Sequence, residues 1–255
     1  MHSSRISCRD CRRLRVETSR LNKYLSAAGV CSRREADRLT QLGLVTIDGR
    51  VAVVGDQVAP GQEVRVRGKL VVMKDPEVLL AYYKPKGIVC TAKRSIHDNI
   101  IDAIGYPVRI YPIGRLDRDS EGLILMTNQG ELTEKIVHAR YCHEKEYLVR
   151  VDKPITEAFL TKMGNGVEIL DTVTRPCTVI GMGKYTFSII LTQGLNRQIR
   201  RMCEALGYRV RELKRIRVMN IRLGDLMPGQ YREIVGEEKE ALLAALGLEV
   251  KEFGR

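Results

Sequence analysis

The stretch Gly114-Arg115-Leu116-Asp117-Arg118-Asp119-Ser120-Glu121-Gly122-Leu123-Ile124-Leu125-Met126-Thr127-Asn128-Gln129-Gly130 decides how this chain is read. It sets a glycine-bounded loop ahead of an apolar run with the pattern of a buried strand, and it closes on turn residues. One carboxylate, Asp117, stands in that loop between Arg115 and Arg118. Adjacent guanidinium groups favour the ionised form of a carboxylate, which is the form a nucleophile or base needs. Taken alone, such a run reads as a solvated surface turn. The rest of the chain decides against that reading.

On both sides of the loop, strand and helix patterns alternate without regular βαβ spacing. Strand patterns cover Val78 to Tyr83, Glu146 to Val151, Cys177 to Ile180 and Phe187 to Thr192, and helical ones cover Leu132 to Ala139, Glu157 to Met163, Arg197 to Leu206 and Glu237 to Leu246. This hairpin-rich mixture predicts an α+β domain around an antiparallel sheet over residues 78–255. A polar linker, Lys74-Asp75-Pro76-Glu77, separates it from a smaller module at 20–73. In that module Leu21, Tyr24, Leu25 and Ala28 fall at helical spacing before Gly29, and Ser32 is placed to cap a second helix that stops at Gly43. Short strand patterns follow at Val45 to Ile47, Val51 to Val54 and Glu63 to Arg67. Residues 1–19 are arginine-rich and without periodicity, the signature of a disordered basic extension.

The chain of 255 residues carries 43 Lys plus Arg against 31 Asp plus Glu, a formal charge of +12. An excess of this size points to a polyanionic partner, nucleic acid first. Residues 1–73 hold fourteen of those cations and seven of the acids, and the hairpin concentrates Arg20, Lys23, Arg33, Arg34 and Arg38. No run reaches the 18 apolar residues of a membrane span, and Met1 to Ser19 contains no apolar export core. We therefore expect a cytoplasmic protein with no membrane partner. The seven cysteines are odd in number and scattered, so they read as reduced thiols; Cys8-x-x-Cys11 has no further ligands at zinc spacing, and we expect no metal.

A second segment, Gly194-Leu195-Asn196-Arg197-Gln198-Ile199-Arg200-Arg201-Met202-Cys203-Glu204-Ala205-Leu206-Gly207, predicts a helix with Asn196 as N-cap and Gly207 as its stop. Ile199, Met202, Cys203 and Leu206 share one face, and Arg197, Arg200 and Arg201 share the other. Three arginines in one turn repel each other, so they call for an anionic partner or an internal carboxylate. The third segment is His143-Glu144-Lys145-Glu146-Tyr147-Leu148-Val149. Tyr147 in this alternating strand suits either core packing or stacking on a base, and the strand pattern does not choose between them.

Together these three segments resemble the motifs of the RsuA branch of RNA pseudouridine synthases: G-R-L-D-x-x-S/T-x-G-L with T-N-x-G, then K-x-Y, then N-R-Q-I-R-R-M. Within that branch the chain is most similar to the RluF-type enzymes of large-subunit (23S) rRNA. The first module, through Arg20-Leu21-Asn22-Lys23-Tyr24-Leu25, Ser32-Arg33-Arg34-Glu35-Ala36 and Val45-Thr46-Ile47-Asp48-Gly49-Arg50, resembles the ribosomal-protein S4-like RNA-binding fold.

The resemblance implies that Asp117 is the nucleophile, attacking C6 of uracil or the ribose C1′, with no cofactor. It implies that Arg200 pairs with Asp117, that Tyr147 stacks on the uracil and handles the C5 proton, and that Ile199 floors the site. Arg115 would fill the gap left by the flipped uridine. RNA contacts are expected from Arg20, Asn22, Lys23, Tyr24, Ser32, Arg33, Arg34 and Arg50 in the first module, and from Asn196, Arg197 and Arg201 beside the catalytic helix. A monomer is expected. The competing readings are a small-subunit rRNA or tRNA enzyme of the same branch, and a non-catalytic S4-type RNA-binding or ribosome-assembly protein.

Overall fold

The computed structural model describes residues 18–72, 76–93 and 95–248. Most of the basic extension expected at 1–19, with Cys8 and Cys11, lies outside the described residues. The chain divides into two compact units with the boundary between Asp75 and Pro76.

In the first unit, helices Leu21–Ala27 and Arg33–Gln41 form a hairpin. The Glu35 amide donates to Ser32 Oγ at 3.2 Å, so Ser32 caps the second helix as its position predicts. Leu21, Leu25, Ala36 and Leu39 pack against Val45, Ile47, Val58 and Val64 of the following strands. Those strands form a four-stranded antiparallel sheet in the order Arg50–Val51, Val45–Ile47, Val64–Val66, Lys69–Leu70. The strand pattern at Val51 to Val54 is realised only as Arg50–Val51. Val53 and Val54 are exposed and belong to a turn in which the Asp56 carboxylate accepts from the Val53 amide. Ser19–Arg20, just ahead of the hairpin, pairs with Gln57–Val58.

The second unit is built on a nine-stranded sheet. Its main path runs Thr178–Gly183, Thr186–Leu191, Lys145–Val151, Val210–Val218, Glu121–Thr127, Leu79–Lys84, Tyr231–Glu233. Strand Leu79–Lys84 is buried throughout, and its side chains alternate between two cores. Leu79, Ala81 and Tyr83 face Leu132, Ile136, Leu242 and Leu243 of helices Gly130–Val137 and Gly236–Ala245. Leu80 and Tyr82 face Ile100 and Ile104 of the short helix Ile100–Ile104. A third core joins Val149, Phe187 and Ile189 to Phe159 and Met163 of helix Glu157–Asn165 and to Met202 and Cys203 of helix Gln198–Ala205.

The sheet is antiparallel with one exception, and the exception positions the site. Glu121–Thr127 pairs in parallel with Val210–Val218 through Glu121 and Gly122 only. Further along the same edge, Leu125 to Thr127 pair instead with Tyr111–Ile113. The sheet therefore forks at the start of the apolar strand, and the Asp117 loop bridges the fork. Gly122 makes the parallel approach feasible: its φ is +106°, and a Cβ there would collide with the carbonyl oxygen of Arg215.

Candidate active site

A cleft of about 440 Å³ opens at the fork. Arg115, Leu116, Asp117 and Ser120 line it from the loop, Tyr147 from the central strand, and Asn196 to Ile199 from the start of the arginine helix. Residues far apart in sequence, 115–120, 147 and 196–199, thus meet in one place. Leu116 is buried among Tyr82, Ile100 and Ile124, and its amide donates to Cys90 Sγ at 3.3 Å, which anchors the loop one residue before Asp117. A turn hydrogen bond from the Ser120 amide to the Asp117 carbonyl, 3.2 Å, closes the loop on the other side. Ile199 is 5% exposed and belongs to both the cleft wall and the core. Tyr147 is half-buried where two cores meet. Arg115 is exposed at the cleft.

The charge pairing differs from the one expected. Arg118, read as a flank of Asp117, turns away: its Nε donates to the Gly87 carbonyl at 3.0 Å and its Nη2 reaches Asp98 at 3.0 Å. Arg200, implied as the partner of Asp117, is instead engaged with the end of the loop. Its Nη2 donates to the Asp119 carbonyl at 3.1 Å and to Ser120 Oγ at 3.3 Å, and lies 3.3 Å from Asp119 Oδ2. The guanidinium within ion-pair reach of Asp117 belongs to Arg197, 3.7 Å from Oδ2, and the same group binds both oxygens of Asp119 at 3.1 Å.

The helix start explains this arrangement. Arg197, not Asn196, is the N-cap, and it adopts a left-handed conformation, φ 50°, that breaks its side chain away from the helical rows. Arg200 lies in the first turn among buried neighbours and is only 8% exposed, so it does not share an open face with Arg201. Asn196 serves Arg201, which donates to its carbonyl and to its Oδ1. Asp119 is the internal carboxylate for two of the three clustered arginines, Arg197 and Arg200. Burial pushes its carboxyl up, but the Arg197 hydrogen bonds and the charges of Arg200 and Arg197 outweigh this and hold it below the usual carboxylate range.

Three further groups were given no role by the sequence, although Lys145 belongs to the K-x-Y segment. Lys84 closes the otherwise apolar strand Leu79–Lys84, is fully buried, and donates to the carbonyls of Pro85 and Ile88 at 2.8 and 2.9 Å. Desolvation lowers its pKa, opposed by the charges of Cys90, Asp119, Asp117 and Glu121. Its one sequence signal is a lysine ending an apolar run. Lys145 and Arg215 also line the cleft. Among the described residues no group of three or more His, Cys, Asp or Glu side chains is placed to hold a metal ion.

In the first unit Arg20, Lys23, Ser32, Arg33, Arg34 and Arg50 are exposed. Asn22 Nδ2 donates to Asp37 at 2.9 Å and ties the two helices together. Tyr24 packs partly into the small core, and Arg50 pairs with Asp56 at 2.8 Å.

Comparison with known proteins agrees with this geometry. The RNA pseudouridylate synthase family matches residues 78–205, and the S4 domain matches residues 19–64. The dual-specificity RNA pseudouridine synthase RluF of Escherichia coli (strain K12) is 52% identical over 221 residues, spanning 86% of this chain and 76% of its own length. The ribosomal large subunit pseudouridine synthase B of Bacillus subtilis (strain 168) is 36% identical over 234 residues, spanning 88% of this chain and 96% of its own. A crystal structure of a pseudouridylate synthase superposes with a TM-score of 0.65 at 26% identity, over 88% of this chain and 99% of that one. With the loop, strand and helix motifs gathered at one cleft, and an S4 domain preceding them in the sequence, the chain belongs to the RNA pseudouridine synthases, in their RsuA branch.

Proposed function

We propose that this enzyme converts uridine to pseudouridine in large-subunit rRNA, with Asp117 as the nucleophile and residues 20–73 as an RNA-docking unit. The observation that carries the site assignment is the meeting of Asp117, Tyr147, Ile199 and Arg197 in one cleft from three separate segments. The large-subunit target rests on the named activity of the Bacillus subtilis relative. A second RNA target is favoured by the dual-specificity designation of the Escherichia coli relative, and a tRNA stem-loop is the form we assign to it.

The reaction is a net isomerisation. The N1–C1′ bond breaks, a C5–C1′ bond forms, the C5 proton leaves and N1 gains one. Asp117 attacks C6 or C1′ to release the base, and Tyr147 stacks on the uracil while it rotates and takes or relays the C5 proton. Ile199 supplies an apolar floor. Arg197 pairs with the Asp117 carboxylate and aims it, and Arg200 fixes the loop through Asp119 and Ser120. Arg115 enters the space vacated by the flipped nucleotide. All these groups come from one chain, which supports a monomer, and rRNA as substrate supports a cytoplasmic location.

The deciding experiment maps pseudouridines in rRNA and tRNA of cells with and without the gene. It is paired with tritium release by purified enzyme from C5-labelled uridine in the same RNAs. Loss of a large-subunit pseudouridine, restored by the purified protein, is the expected result. An unchanged pseudouridine map together with RNA binding would return the non-catalytic S4-type reading.

A further inference from the structure

Beside Tyr147 the cleft wall carries three basic groups that the proposed chemistry does not use. Arg215 is directly opposite Tyr147 on the neighbouring strand, and Lys145 lies two residues before Tyr147 on the same face. Arg215 is 4% exposed, and its Nε donates to the Leu123 carbonyl at 2.7 Å. Lys145 is half-buried, with Nζ donating to the His143 carbonyl at 3.0 Å. Neither cation takes part in any ion pair among the described residues. Asp117 is the only carboxylate among the residues lining the cleft, and it already has Arg197. His143 lines the same cleft, and its Nε2 is buried without a hydrogen-bond partner.

Burying two like charges and an orphan imidazole nitrogen side by side is costly unless something offsets it. Burial lowers the Lys145 pKa, and Arg215 lowers it further against an opposing contribution from Cys142. Burial and then Lys145 lower that of His143, opposed by a backbone hydrogen bond at Lys135. An anion in this corner would reverse both effects and satisfy the free nitrogen. Three donors of this kind suit the tetrahedral oxygens of a phosphate.

We infer that His143, Lys145 and Arg215 form a phosphate subsite that grips an RNA backbone phosphate flanking the flipped uridine, next to the ring stacked on Tyr147. The inference rests on the RNA-modifying reading of this cleft. It separates a positioning phosphate inside the active site from the diffuse grip of the first unit. Lys145 is the informative position, because Arg215 also braces strand Glu121–Thr127 through Leu123.

The test uses a hairpin RNA bearing the mapped uridine, either all-phosphate or with one neutral methylphosphonate on the 5′ or the 3′ side of that uridine. Filter binding across a salt series and single-turnover tritium release at saturating RNA are measured for wild type, Lys145→Met and Lys145→Arg. Lys145→Met is expected to raise Kd about tenfold and to shrink the salt slope by about 0.7 to 0.9. Lys145→Arg should recover most of the affinity. At one flanking position the methylphosphonate should weaken wild type about as much, yet add little to Lys145→Met, because both remove the same contact. Additive losses at both positions would overturn the subsite, as would an unchanged salt slope, or slower tritium release at unchanged Kd. If Lys145→Met loses its cooperative melt, wild type decides: insensitivity to both methylphosphonates overturns the inference, and weakening at one supports it. Failure of wild type itself to release tritium would strike the enzymatic reading, whereas the binding comparison would still judge the phosphate contact.

Discussion

Two groups of cations, one in each unit, are disposed in opposite ways. On the helical hairpin Arg20, Lys23, Arg33 and Arg34 face solvent, and none joins an ion pair among the described residues. In the catalytic unit Lys84, Arg200 and Arg215 are buried, and each is tied to a carbonyl oxygen. Exposed cations act through charge alone, so their contributions to RNA binding are salt-sensitive and interchangeable. Buried ones act through geometry. Each has its own partner, so its loss is neither interchangeable nor additive.

The largest effect expected falls on the site itself. Asp117→Asn keeps the shape of the side chain but removes the carboxylate, so single-turnover tritium release should fall by at least about 10⁴-fold while RNA Kd stays within about threefold. Substantial turnover, after mass spectrometry excludes deamidation, would sink the nucleophile assignment. Next comes the fork. Gly122→Ala sets a methyl group against the Arg215 carbonyl and should destabilise the catalytic unit by at least about 4 kcal/mol, read as a lowered urea midpoint. A midpoint near wild type would mean that the parallel strands part without cost.

The two helix-start arginines sharpen the contrast within the site. Arg200→Ala frees Ser120 and the Asp119 carbonyl, and should cost about 1–3 kcal/mol together with a severe loss of turnover. Arg197→Ala, at a more exposed position, should cost less stability but also slow turnover, because Arg197 is the cation nearest Asp117. An Arg197→Ala variant impaired only in Kd would assign that arginine to phosphate instead. In the first unit, replacing Lys23, Arg33 and Arg34 by alanine should act on Kd and reduce the salt slope by about 0.9 for each duplex phosphate lost. An unchanged slope would mean that the hairpin does not grip RNA.

The smallest effect concerns pH. The Arg217 hydrogen bond holds the Glu146 carboxyl below its ordinary range, against burial and with help from Ser188. A lowered folded pKa contributes stability that is present above the ordinary glutamate value and lost as pH falls through the lowered one. Glu146→Gln should flatten that acid limb by about 1 kcal/mol. Identical acid titrations of stability for the two proteins would show that the pair contributes nothing.

Sequence alone determined many of the elements and their order, but not the strands Tyr111–Ile113 and Val210–Val218 or the helix Ile100–Ile104. Ser32 had one local role as a cap and took it, and the continuous apolar runs of Leu79–Lys84 and Glu121–Thr127 called for strands buried on both faces. The three motifs named the family because their residue types and spacing are chemical requirements carried along the chain. Pairing across the fold was another matter. That Arg118 leaves for Gly87 and Asp98, that Arg200 ends on Asp119 and Ser120, and that Asn22 serves Asp37 all depend on which carboxylates and carbonyls the fold brings within about 3 Å, the reach of a hydrogen bond. Helical periodicity put Arg197, Arg200 and Arg201 on one face, but a left-handed residue at the helix start broke that row. The charge of Lys145 and Arg215 is plain in the sequence, while their lack of a counter-ion is a property of the cleft. Local pattern determines what a residue is able to do, and long-range packing decides which neighbour it does it with.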